Sequence, residues 1–344
     1  MGLAGYLLGG FLSQRLARWF APTGLAGAMG LLVLLSLFFC SFPIHFVHAA
    51  FWRTMSGVAG AVLMIVGMSD VNTRLVAAGR PGWAGLVFLG VGGGAMLGSI
   101  MMVFLPDVSA VAASTGLTAL CALALIVNLY TGHRMRRSPK LHDASGVSTK
   151  AEPGLHRAVL LVIAAYAFVA FGMTAHTLYV VDYVTRVVGL TPRAGALIWT
   201  GFGLGALLAP LLPLRRLRRG LVWLCLAKGA AIAGVAVSTS PAVFWFATFI
   251  VGIAAPGAGM LVAAFIQRTV GTRSYIRYWA MATTGFASAQ ALGGFSASRL
   301  SQHWGGYPPV FLLGAAFLVL AALVVLVAER MRARTLAAHV RQGN

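Results

Sequence analysis

Apolar positions are gathered into long blocks separated by short polar ones. Ten blocks reach the about 20 residues that a spanning helix needs, at roughly 24–43, 46–69, 83–105, 108–130, 158–181, 194–213, 220–238, 242–266, 276–298 and 308–328. An eleventh, GLAGYLLGGFL at 2–12, stops at Gln14 and Arg15 and is too short to cross a bilayer alone. No basic stretch precedes it, so it does not read as a signal peptide. The one long polar stretch, GHRMRRSPKLHDASGVSTKAEPGLHR at 132–157, reads as a flexible linker. Counting the short start, five spans precede the linker and six follow it. The expected domains are an N-terminal helix bundle over 1–131, a linker over 132–157, a six-helix bundle over 158–329 and a basic tail over 330–344.

Composition turns this pattern into a class. Of 344 residues, 59% are hydrophobic and 9% charged, against about 25% charged in an ordinary soluble domain. The mean hydropathy is +0.87. A water-soluble enzyme is excluded, and an all-α integral membrane protein is expected. The 42 glycines lie inside apolar runs, where small residues let membrane helices approach closely. Cys40, Cys121 and Cys225 are far apart in apolar stretches, so neither a disulfide framework nor a CxxC metal site is on offer.

The net charge of +20 would by itself suggest a nucleic-acid partner, but its distribution says otherwise. One set of alternating loops holds 21 of the 26 basic residues; the other holds Arg186, Arg193 and Arg299, while Arg53 and Lys228 lie within spans. This is the positive-inside bias of a membrane topology. It places the linker and the C-terminus in the cytoplasm, and no nucleic-acid partner is expected.

The two sides of the linker repeat one another. FW at 51–52 recurs at 244–245, Gly57 in GVAGAVLMIVG matches Gly252 in GIAAPGAGMLV, and LGS at 97–99 matches LGG at 292–294, at offsets of 193 to 195. The basic loop SQRLARW at 13–19 pairs loosely with PLRRLRRG at 213–220. Internal repeats of this kind build many transporters. GFLSQRLARW at 10–19 resembles the cytoplasmic loop motif between helices 2 and 3 of the major facilitator superfamily, keeping Gly10, Leu12, Arg15 and Arg18 but carrying Gln14 where the motif has an acid and Ala17 for its second glycine. RTMSGVAGA at 53–61 resembles the helix 4 motif, with Arg53, Gly57 and Gly60. LYVVDYVTR at 178–186, ALIWTGFGLGALLAP at 196–210 and TTGFASAQALGGF at 283–295 are similar to the YbfB/YjiJ-like branch of that superfamily.

The resemblance implies a two-bundle fold of about 11 transmembrane helices, running from partway through helix 2 to helix 12. An odd span count and a short first span then read as a twelve-helix pattern lacking helix 1 and part of helix 2. In the superfamily, helices 2, 5, 8 and 11 line the contact between the halves. Small residues four apart occur there as Gly5 and Gly9, then Gly90, Gly94 and Gly98, then Gly201 and Gly205, then Gly285, Ala289 and Gly293.

An ionisable side chain at membrane depth costs at least about 2.5 kcal/mol on insertion scales, so it faces a cavity or a partner. Arg53 lies about seven residues inside helix 4, and the motif match implies a cavity-facing site for an anionic solute or for proton coupling. Asp182 is a candidate proton site, but a count from Arg157 puts it close to the outer interface, where Arg186, four residues on, is a ready ion-pair partner. Lys228, eight residues into its span, is expected to snorkel to the inner headgroups. Asp70 and Arg74 with Arg15 and Arg18 form a candidate latch at the cytoplasmic ends of helices 2 and 4. His176, Tyr166, Tyr179, Gln290, Trp199 and Asn128 are further cavity candidates. Pro256 is expected to kink its helix. His45 and His48 form HxxH with no nearby acid or cysteine, which argues against a metal site. The run GVGGGAMLG follows no strand and fails the context of a dinucleotide fingerprint.

The expected function is secondary active transport of a small organic solute across a bacterial inner membrane by alternating access, with proton coupling as an option. No cofactor is expected, and a monomer is. Uptake and efflux are both left open. A truncated, non-transporting remnant is the alternative, and a membrane-embedded enzyme would need a cluster of His, Asp or Glu that the sequence lacks.

Overall fold

The computed structural model of the chain describes residues 2–42, 44–104, 110–136, 153–217 and 219–342. Most of the expected linker therefore lies outside the described residues. Every described element is helical: α1 (Gly2–Trp19), α2 (Pro22–Cys40), α3 (Phe46–Val62), α4 (Met68–Ala77), α5 (Leu89–Phe104), α6 (Ala110–Arg136), α7 (Pro153–Asp182), α8 (Pro192–Leu208), α9 (Gly220–Val237), α10 (Pro241–His303) and α11 (Pro308–Gln342). Single π turns at Leu63–Gly67 and Tyr183–Val187 follow α3 and α7.

Nine helical segments among the described residues are long and apolar enough to cross a membrane. Backbone groups in lipid must be satisfied internally, which is why the apolar blocks become helices. α10 is two of the expected spans in sequence, interrupted at Gly271, whose φ of 72° leaves the helical region as only glycine does at low cost. Large apolar side chains such as Leu123, Ile126 and Val127 on α6 are exposed, as suits a surface whose solvent is lipid.

The chain forms two compact units, Met1–Val87 with Phe104–Ser145, and Phe88–Val103 with Gly146–Asn344. In the first, α1 lies against α3 at a distance that glycine permits: a Cβ at Gly5, Gly9 or Gly57 would meet the backbone of the opposite helix. Leu25, Val62 and Val66, with Leu16 and Met29, form a small core, and α2 packs on α3 and α6. In the second unit, α7 packs against both α10 and α11, α9 against α10 and α11, and α8 against α10. Gly172 of α7 and Gly314 of α11 bring their two backbones together.

Candidate functional site

The second unit carries a buried polar cluster at the meeting of α7, α9 and α10. On α7, Met173 and His176 are three residues apart and share a face. Lys228 lies in the apolar run LVWLCLAKGAAIAG of α9. It is 1% exposed, and its Nζ donates to the Met173 thioether at 3.5 Å, a weak acceptor. His176 is fully buried; its Nε2 and the buried Thr248 Oγ1 share a hydrogen bond of 3.4 Å, and its Nδ1 has no hydrogen-bond partner among the described residues. His176 and Lys228 are within electrostatic reach of one another. Neither of the two salt bridges among the described residues involves Lys228.

This corrects the expectation that Lys228 snorkels to the headgroups. Depth along a helix sets whether a lysine can reach the interface, but the direction it faces decides whether it does, and Lys228 faces inward. His176 enters this cluster as a candidate from the sequence; Thr248 and Met173 do not. Their only sequence signal is a basic residue in an apolar run, which calls for nearby polar atoms without saying where in the chain they lie.

A second constellation sits where α7 gives way to its π turn. Arg186 Nε meets Asp182 Oδ1 at 2.6 Å, the expected ion pair one turn apart. The Tyr307 hydroxyl donates to Asp182 Oδ2 at 2.5 Å, so both carboxylate oxygens are engaged. That bond, with burial and the carboxylate's charge behind it, pushes the Tyr307 hydroxyl up to about 12. Tyr179 stacks on Tyr307 with centroids 5.5 Å apart. The arrangement ties the end of α7 to the turn that precedes α11.

The other candidates are dispersed. Tyr166 is buried and packs on Phe286, with ring centroids 4.6 Å apart. Gln290, on α10, is half-buried. Trp199 stacks on Phe202 at 4.9 Å, and Asn128 donates to the Ala26 carbonyl at 3.5 Å. Arg53 on α3 is exposed, with no ion-pair partner among the described residues. Asp70 pairs with Arg74 at 2.9 Å, while Arg15 and Arg18, both exposed, make no salt bridge with it. His45 Nδ1 accepts the His48 backbone N–H at 3.0 Å, so the HxxH pair serves as the N-cap of α3.

The candidate glycines differ in what stands next to them. A Cβ at Gly90 or Gly94 would meet nothing within 4 Å. It is Gly92 and Gly203 that bring α5 and α8 together: a Cβ at Gly92 would strike the Ala206–Leu207 backbone, and one at Gly203 would lie 2.6 Å from Met96 Cα. A Cβ at Gly201 or Gly205 would meet α10 at Trp245 and Phe249, one at Gly293 would meet Phe171 of α7 at 3.1 Å, and the nearest atom to one at Gly285 is Ile163 Cγ2 at 4.0 Å. A spacing of four defines a helix face but does not say which neighbour that face meets.

Comparison with known proteins agrees with this architecture. The family described as "Uncharacterised MFS-type transporter YbfB" matches residues 1–326. Among solved structures, the chain is similar to a variant of the Escherichia coli fucose:proton symporter FucP, at a TM-score of 0.58 and 13% identity, over 96% of this chain and 88% of that one. No curated protein matches.

Proposed function

Because the chain belongs to the family of MFS-type transporters described by YbfB, we propose that it carries a small organic solute, anionic or neutral, across the bilayer by alternating access, with proton coupling at the His176–Lys228 cluster. The membrane is the bacterial inner membrane, with the linker and C-terminus in the cytoplasm, as the loop charges favour.

The observation that carries this reading is Lys228, buried at membrane depth among apolar residues without a carboxylate partner among the described residues. Charge in that position is costly and is retained where a transport cycle uses it. Two basic groups side by side in a water-excluded site, one with an unpartnered ring nitrogen, form a place where a proton can be held and released. Asp182 is the weaker proton carrier, since Arg186 and Tyr307 already occupy both of its oxygens. Arg53, exposed and without an ion-pair partner among the described residues, is the solute-facing cation of the first unit. The excess of Arg53 and Lys228 over Asp182, which is already paired with Arg186, favours an anion or a neutral solute over a cation.

The test is solute-driven proton flux in proteoliposomes, screened over organic acids and hydrophobic compounds. Flux in the wild type that is lost in Lys228→Met and in Arg53→Ala, both expressing normally, is the expected result. Unchanged flux in Lys228→Met would remove the buried cluster from the mechanism.

A further inference from the structure

One buried positive charge in the second unit has no counterpart among the described residues. The chain holds six acids. Asp70 pairs with Arg74 and Asp182 with Arg186, Glu329 lies within electrostatic reach of Arg219 and Arg332, and Asp107, Asp143 and Glu152 lie outside the described residues. No described acid therefore pairs with the Lys228 ammonium. It is 1% exposed, and its one hydrogen-bond acceptor among the described residues is the Met173 thioether at 3.5 Å. An ammonium carries three N–H donors, so most of its donating capacity is unused. A charge buried without a counter-charge is strongly destabilising.

The groups around Lys228 add donors and no charge of opposite sign. His176 is fully buried, its Nε2 shares a hydrogen bond with Thr248 Oγ1, and its Nδ1 has no partner among the described residues. With the Thr248 hydroxyl donating to Nε2, the ring hydrogen sits on Nδ1 and makes it a second donor without an acceptor. Cys225, three residues before Lys228 on α9, is buried and within electrostatic reach of the ammonium, and a thiol is a weak donor. α11 faces the neighbouring Gly229 with Ala315 and Leu318, which bring no charge. Rich in donors and poor in acceptors, the cluster has the composition of an anion site.

We propose that the Lys228–His176 cluster binds one small monovalent anion, either a halide from the medium or the carboxylate of the carried solute. A single ammonium calls for a single negative charge, and side chains exposed by 4% or less, Met173 being the most open, leave no place for a large polyanion. The proposal deepens the transport reading: an anion beside the lysine supplies the counter-charge with which the cluster keeps a proton at membrane depth. It rests on that reading only for the anion's way in, since alternating access opens a site that is otherwise enclosed. Binding is measured without transport, so the two fail separately.

The experiment uses the purified full chain in a neutral detergent. Sodium methanesulfonate is replaced stepwise by sodium chloride or sodium acetate at constant ionic strength, with thermal unfolding as the readout. At least one of these anions is expected to raise the unfolding temperature saturably, by about 3–6 °C once it exceeds its Kd about tenfold. Lys228→Met should weaken the apparent Kd by about tenfold or more, and His176→Phe by about three- to tenfold. The lead in stability of Lys228→Met over the wild type then narrows as the anion is added. Arg334→Gln, which removes an exposed cation of α11, should leave the response unchanged. If Lys228→Met does not purify monodisperse, His176→Phe carries the test. A response to chloride with acetate weaker or inert assigns the site to a halide, and a stronger response to acetate assigns it to a carboxylate. No saturable response to either anion, or an equal response in wild type and both cluster variants, overturns the proposal. That result beside coupled proton flux would strike the anion and keep the transport reading, whereas anion binding without flux would strike the transport reading alone.

Discussion

Lys228→Met separates a functional lysine from a structural one. The two side chains are unbranched and of similar length, so the change removes charge while keeping the packing between α7, α9 and α10. What is lost is one hydrogen bond to the Met173 sulfur, which is weak. What is gained is relief from holding an ammonium among apolar residues, where insertion scales put the cost at about 2.5–3.5 kcal/mol. With part of that offset by the lost contact, the variant should be more stable by about 2 kcal/mol. For a unit of this size each kcal/mol moves the midpoint by about 2–4 °C, so the melting temperature should rise by about 4–8 °C. Tryptophan fluorescence during heating, in one detergent for both proteins, reads it directly. A fall of several degrees would refute the reasoning, because it would mean that Lys228 makes a stabilising interaction that outweighs its desolvation.

Three further outcomes follow from the geometry. Gly203→Leu should lower the melting temperature sharply, since its Cβ would lie 2.6 Å from the Met96 backbone and overpacking costs about 1–3 kcal/mol or more; Gly94→Ala, with nothing within 4 Å, should be neutral, and equal effects of the two on thermal unfolding would contradict the contact register. Tyr307→Phe removes the hydroxyl that donates to Asp182 and should cost about 1 kcal/mol at this partly exposed site, read as a drop in melting temperature that Arg334→Gln does not share. Asp182→Asn should keep the dependence of transport on a pH gradient, measured in proteoliposomes, and loss of that dependence would return proton carriage to Asp182.

Much of the fold could be read from the sequence because one physical constraint dominates it. Lipid forces backbone polar groups into helices, so block length alone locates the spans, and the break between the two halves of α10 falls where polar residues surround Gly271. Local pairs were readable for the same reason, as Asp182 with Arg186 and Asp70 with Arg74 are fixed by one helical turn. Azimuth was not readable. α9 is apolar on nearly every face, so no amphipathic stripe tells which way Lys228 points, and the register of Gly92 against Gly203 depends on how two separate helices settle. The His176–Thr248 contact joins residues 72 apart in the chain, and nothing in local spacing announces it. Tyr307 is not legible in the sequence, because a loop tyrosine carries no signal until the turn brings it to the end of α7.

The most direct test of the account is solute-driven proton movement by the full chain in sealed proteoliposomes, wild type beside Lys228→Met. The account predicts acidification or alkalinisation coupled to at least one organic solute in the wild type, and none in the better-folded variant. Identical coupled flux from both would contradict it, leaving the family and the fold in place and the buried lysine without a part in transport.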